Sequence, residues 1–403
     1  MNPLLIFVMV CFVIFVYEYR SGFIFSPAQL NVGFWSIVSI SYVLIGDRAE
    51  VLSWSAVLAL SLGVASFWLG GKVNINSRIR VPDHVSPDYS KYIFCSVVFF
   101  ALLFGLCGTL WKALPYVPLA SDMPLFGGGG SWYENLRHNL ILKYSGSFGF
   151  WGYFLGLSYA VSVYFVVSIS SRRDIALASF SFIISLAYAF LATGRTFVLL
   201  LFVLVFVALR AKGIISRKGL VLFALPSAAF FFVVTPLLAG RLVMDMVDYF
   251  LLYFVAPLSN FNWGMNGVFS CCTNGEMVFR TIFAILSKLG FDVRVVDLIQ
   301  PWAQTKLSGN VYTVFMPYYR DFGFFGVVGF MFLFGLVHSW VARQATGNNP
   351  LAIFISGILF YALVMQFFQD QYFSLLSQWI QMIFWMSLLL WIRPIRSASF
   401  QKG

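Results

Sequence analysis

Long apolar runs bordered by short charged segments recur along the chain, at residues 3–17, 28–45, 51–69, 92–111, 148–168, 175–192, 196–209, 220–238, 322–341, 351–368 and 372–392. A hydrocarbon layer about 30 Å thick takes roughly 20 apolar residues per helical crossing, so the pattern predicts eleven transmembrane helices. The expected fold class is all-α, a polytopic integral membrane protein with residues 1–403 forming one transmembrane domain. No internal repeat and no interdomain linker is visible. Two segments break the pattern. Residues 112–147 contain the glycine run 127–130, which argues for a mobile loop without a packed core of its own. Residues 240–321 are too long for a turn and too apolar for disorder. Within them, 241–253 and 277–289 carry apolar residues at helical spacing, suited to lying on a membrane surface.

Composition sharpens this picture. The chain is 60% hydrophobic and 10% charged, against about 25% charged for a soluble domain, which excludes a secreted enzyme, a disordered tail and a single-anchor receptor. The net charge of +11 reads as basic loops rather than as a nucleic-acid surface. One set of alternate loops holds Arg20, then Lys72, Arg78, Arg80 and Lys91, then Arg172 and Arg173, then Arg210, Lys212, Arg217 and Lys218, then Arg343, and finally Arg393, Arg396 and Lys402. The other set has fewer basic residues over about twice the loop length, so the positive-inside rule puts 112–147, 240–321 and the N-terminus outside. Met1-Asn2-Pro3 has no basic n-region and runs straight into 4–17, which reads as a retained helix rather than a cleaved signal. The five cysteines, Cys11, Cys95, Cys107, Cys271 and Cys272, show neither metal-ligand nor disulfide spacing.

Scarce charge makes individual ionisable residues informative. Thr193-Gly194-Arg195 interrupts the apolar stretch between the sixth and seventh helices, which puts Arg195 near the outer hydrocarbon edge. There it either meets an anion or carbonyls, or snorkels to the head groups. Arg241 follows the eighth helix, with Asp245 and Asp248 on the same helical face, either as an exposed ion pair or as part of an anion site. Tyr318, Tyr319, Arg320 and Asp321 stand at the entry of the ninth helix, after Asn310 and Tyr312, and Arg280 and Arg294 add cations to the same loop. Arg195, Arg241 and Arg320 all fall at outer helix ends. Their planar forks suit a diphosphate, while Asp321, Asp245 or Asp248 would accept a proton or hold a sugar hydroxyl. His138 follows Trp132 and Tyr133 in the first loop and is either part of a sugar-contacting face or solvated; His338 reads as a packing residue. There is no Walker loop, dinucleotide glycine fingerprint or zinc spacing. No cofactor and no metal is expected, and any glycosyl donor would be membrane-delivered.

Residues 310–326, NVYTVFMPYYRDFGFFG, with Gly329 and Gly335 beyond, resemble the C-terminal signature of oligosaccharide repeat-unit polymerases, the Wzy-type O-antigen and capsule polymerases. Thr193-Gly194-Arg195-Thr196 is similar to the Gly-Arg-Ser/Thr element of that family, and the helix layout with a large late loop is similar too. The resemblance implies a glycosyltransferase, with a GT-C-like architecture as a candidate, in a bacterial inner membrane with its active face periplasmic. A glycan on undecaprenyl diphosphate would be moved as a block onto a second lipid-linked repeat unit, and undecaprenyl diphosphate would leave. Partners implied are the lipid-linked donor and acceptor and membrane lipid, with a chain-length regulator and a flippase as candidates and no nucleic acid. By position, Arg195, Arg241, Arg320 and Asp321 would carry the reaction. Asp245, Asp248, Asn310, Tyr312, Tyr318, Tyr319, Arg280, Arg294 and His138 would bind substrate. The Arg-x15-Gly pattern of some members is absent, because Ala211, Pro257, Val296 and Asn310 stand sixteen positions after Arg195, Arg241, Arg280 and Arg294. An O-antigen ligase is the nearest enzyme rival. A lipid-linked oligosaccharide flippase is the rival from another class, and would be expected to show internal repeats and mid-membrane charge.

Overall fold

The computed structural model describes residues 3–20, 26–77, 79, 91–116, 136, 148–215, 253–268, 273–297, 300–393 and 395. Among them there are helices and no strands: α1 (Pro3–Arg20), α2 (Pro27–Leu44), α3 (Trp54–Lys72), α4 (Lys91–Ala113), α5 (Tyr153–Val167), α6 (Arg172–Leu191), α7 (Arg195–Ala211), α8 (Ala256–Trp263), α9 (Arg280–Lys288), α10 (Phe315–Thr346), α11 (Pro350–Val364) and α12 (Leu376–Ile392). Six described helices are long and apolar enough to cross a membrane, and the apolar stretches Leu4–Tyr17, Thr196–Ala211 and Leu376–Ile392 are shorter. The chain is a membrane-embedded helical protein. The expected eighth helix at 220–238, the amphipathic stretch 241–253 apart from Tyr253, and the glycine loop 112–147 apart from residues 112–116 and 136 lie outside the described residues.

Helix starts follow local chemistry. Ser26 accepts from the Gln29 N–H while Gln29 Oε1 accepts from the Ser26 N–H, a reciprocal cap that satisfies two exposed donors at the head of α2. Ser171 and Asp174 make the same box at α6. Of the boundaries that differ from the apolar pattern, two lie in the last third of the chain at helix starts. The ninth expected helix, 322–341, starts seven residues earlier, at Phe315, because the polar-aromatic signature is itself helical. The last begins at Leu376 rather than 372, since Asp370 turns the chain before it.

The helices gather in two compact units. The first comprises Met1–Ser77, Asp245–Arg343 and Leu359–Ser377. Its core joins α1, α2, α3, α8 and α10 around Phe7, Trp35, Phe67, Phe261, Phe315 and Met331. Lipid supplies no hydrophobic drive between helices, so close backbone packing must hold them together. Glycines allow it: a Cβ on Gly70 would strike the Phe332 carbonyl oxygen, and one on Gly335 would strike that of Phe67. Gly323 breaks α10 with φ 61 and ψ −150, a conformation open essentially to glycine alone. Residues 324–346 beyond it span about 35 Å at roughly 1.5 Å per residue, enough for a crossing. Residues 315–322 form a separate short helical piece that carries the signature.

The second unit comprises Arg78–Met244, Gln344–Ile358 and Gln378–Gly403. Its helices are tied by buried hydroxyls. Tyr188 donates to the Leu102 carbonyl at 2.7 Å, Tyr159 to that of Phe197 at 2.8 Å, and Ser185 to that of Ser158 at 2.8 Å. Thr193 takes φ 56, left-handed for a β-branched residue, and is buried between α6 and α7. Gly194 is the N-cap of α7, and Arg195 is its first residue.

Candidate functional site

In the first unit, the turn 273–279, α9, loop residues 291–297 and 300–314 and the first turn of α10 converge with residues 369–375 on a cavity of about 240 Å³. Asp321 fastens one wall. Its carboxylate, 2% exposed, accepts from the Thr273 hydroxyl at 2.5 Å and from the N–H groups of Met277 and Val278 at 3.0 and 2.7 Å. Thr273 N–H also donates to the Arg320 carbonyl at 3.3 Å. The turn leading into α9 is thus clamped to the signature by a buried anion taking up backbone donors. Arg320 extends the clamp, donating through Nη1 to Gln300 Oε1 at 3.3 Å and towards Met277 Sδ at 3.6 Å.

The cavity wall itself carries Arg280, Gln300, Asn310, Tyr312 and Asp297. Arg280 Nε donates to the Val296 carbonyl at 2.7 Å, which fixes the guanidinium plane. Among the described residues its two Nη groups have no hydrogen-bond partner, so the fork remains available to an acceptor in the cavity. Tyr312 donates to the Pro301 carbonyl at 2.9 Å; burial pushes its phenol up to about 12 against the pull of nearby Arg320, so it stays a neutral donor. The loop is braced from α8, where Asn260 donates to the Val311 carbonyl and accepts from Thr305, each at 2.9 Å.

The far wall is Gln369, Asp370 and Ser374. Asp370 is 4% exposed. Its Oδ1 accepts from the Tyr318 hydroxyl at 2.5 Å and the Tyr372 N–H at 3.1 Å, and its Oδ2 from the N–H groups of Phe373 and Ser374 and the Ser374 hydroxyl, at 2.9 to 3.2 Å. Burial raises its carboxyl above the ordinary value, and these donors pull it part of the way back. Behind it runs a buried polar chain. Gln366 Oε1 accepts from Asn31 at 2.6 Å and Trp35 at 3.2 Å, and Gln366 Nε2 donates to the Tyr372 hydroxyl at 2.9 Å. That hydroxyl in turn meets His338 Nε2 at 2.9 Å.

Of the residues singled out by sequence, Arg280, Asn310 and Tyr312 line the cavity. Arg320 and Tyr318 stand one layer behind, each bonded to a lining residue. Asp321 is not among the lining residues; its oxygens are engaged in holding the turn. Tyr319 packs on Phe261 and Phe324, and Arg294 is exposed away from the lining. Arg241, Asp245, Asp248, His138 and the Arg195 side chain lie outside the described residues. Asp297, Gln300, Asp370 and Ser374 went unread in the sequence. Gln369-Asp370-Gln371 was the available signal: a polar triplet holding the single charged residue between 351 and 392. Among the described residues no group of three or more His, Cys, Asp or Glu side chains gathers as a metal site. Compared with family models, curated proteins and solved structures, the chain matches none of them.

Proposed function

We propose that the protein is a Wzy-type oligosaccharide repeat-unit polymerase of a bacterial inner membrane, working at the periplasmic face with about eleven spans and a large periplasmic loop at 240–321. The observation that supports it most is that Asn310 and Tyr312, from the signature stretch, share one cavity with the open fork of Arg280, while Arg320 and Asp321 hold its wall. In this reading the acceptor hydroxyl of one lipid-linked repeat unit attacks the anomeric carbon of the donor glycan. The bond from that carbon to undecaprenyl diphosphate breaks, and the diphosphate leaves with the electron pair. A guanidinium with two unfilled Nη groups stabilises the developing negative charge without a metal. Asp297, on the cavity wall, takes the role of proton acceptor that the sequence left open among Asp321, Asp245 and Asp248. The resemblance assigns diphosphate and glycan handling to Arg195 and Arg241, and substrate binding to Asp245, Asp248 and His138.

Complementation tests this reading. In a strain lacking the gene, Arg280→Ala is expected to insert normally and to yield lipopolysaccharide with single repeats only; a full ladder would remove Arg280 from the site. The deletion itself separates the rivals. A polymerase leaves one capped repeat, a ligase leaves bare core with polymer still on the carrier, and a flippase leaves lipid-linked units on the inner face.

A further inference from the structure

Helix α9 has two unlike sides. Arg280 and Thr281 line the cavity, whereas Ile282, Ile285 and Leu289 are 46%, 54% and 69% exposed. At 3.6 residues per turn, Ile282 and Leu289 project from the side opposite Arg280. Phe291, 59% exposed, continues the apolar strip past the helix end. Nine residues are too short to cross a bilayer, so this strip belongs along a surface.

The level of that surface is given by the Asp321 clamp. The turn entering α9 hangs from the Asp321 carboxylate, two positions before the Gly323 break, and the membrane-crossing length of α10 starts just beyond. Phe325, 90% exposed, opens that crossing. α9 is therefore tied to the very end of a membrane span. Lys288, next to Leu289 in sequence, and Arg294, three positions past Phe291, are both exposed, where anionic head groups would meet them.

We propose that α9 lies along the surface of an anionic phospholipid bilayer with Ile282, Ile285 and Leu289 in the acyl layer, so that lipid holds the cavity wall carrying Arg280. The cavity then opens at head-group depth. This goes beyond the polymerase reading and does not depend on it.

The test uses the full chain in vesicles of phosphatidylethanolamine and phosphatidylglycerol, with photoreactive benzoylphenylalanine introduced at position 285, 289 or 287. The expected result on irradiation is phospholipid adducts at 285 and 289, read by intact mass, and their loss at 287 on the polar side. Equal adduct yields at all three positions, or crosslinks to protein instead of lipid at 285 and 289, would overturn the proposal. Because no activity is read, a failed polymerase assignment would leave the adduct pattern unchanged.

Discussion

Replacing Asp321 with alanine removes the one acceptor shared by the Thr273 hydroxyl and the Met277 and Val278 N–H groups. Hydrogen bonds to a charged partner contribute about 1.5–3 kcal/mol each, and buried donors left without a partner cost about 1–3 kcal/mol. These effects do not add fully in a shared network, and solvent entering the opened turn recovers part of the loss. A net cost of about 3 kcal/mol to the clamp follows, and since every 1.4 kcal/mol is tenfold the turn should open roughly 100-fold more often. Amide hydrogen exchange reads this directly, because Met277 and Val278 exchange only when their bonds to Asp321 break. Asp321→Asn, which keeps the shape and one acceptor oxygen but loses the charge, should fall between wild type and Asp321→Ala. Unchanged exchange at Met277 and Val278 in Asp321→Ala would refute the clamp. A uniform rise across the whole first unit would show that Asp321 holds the unit rather than the turn.

Gly335→Ala forces a Cβ against the Phe67 carbonyl oxygen, and because backbone cannot yield as a side chain can, it should cost about 1–3 kcal/mol, seen as a lower melting temperature in detergent. Gly323→Ala places a side chain in a region reserved for glycine and should cost on the order of 1–3 kcal/mol; thermal unfolding at wild-type temperature would argue against the break in α10. Tyr372→Phe and Gln366→Leu should couple by about 0.5–3 kcal/mol in a double-mutant cycle, since Gln366 donates to the Tyr372 hydroxyl; additive effects would mean the bond contributes nothing. Arg320→Lys keeps the charge but not the fork, and is expected to raise exchange at Gln300 by weakening the contact it makes there.

Apolar run length was enough to locate most of the described helices, because lipid imposes one requirement on every crossing. What it missed are places where backbone polarity is handled by a distant side chain. The head of α10 looks like loop in sequence, since Tyr318, Arg320 and Asp321 are polar; it is helix because all three find partners 20 to 52 positions away. Residues 372–375 look like the start of the last helix in the sequence, their apolar neighbours hiding the Asp370 carboxylate that gathers three N–H groups. Arg280 was legible as a loop cation, but no spacing rule pairs it with Asn310 and Tyr312. Asp321 stands out in the sequence by its charge, whereas the fastening it makes depends on burial and on three donors distant in the chain.

Asn31 and Gln366 are bonded across 335 positions of chain. Translation proceeds at about 5–20 residues per second, so roughly 17–67 s separate the birth of the two residues. During that interval α2 sits in the bilayer with the amide of Asn31 and the indole N–H of Trp35 facing a partner that has not been made. The first three helices are therefore an open assembly during biogenesis, and a chaperone or insertase able to shield a polar helix face should stay bound until residue 366 has left the ribosome and entered the membrane.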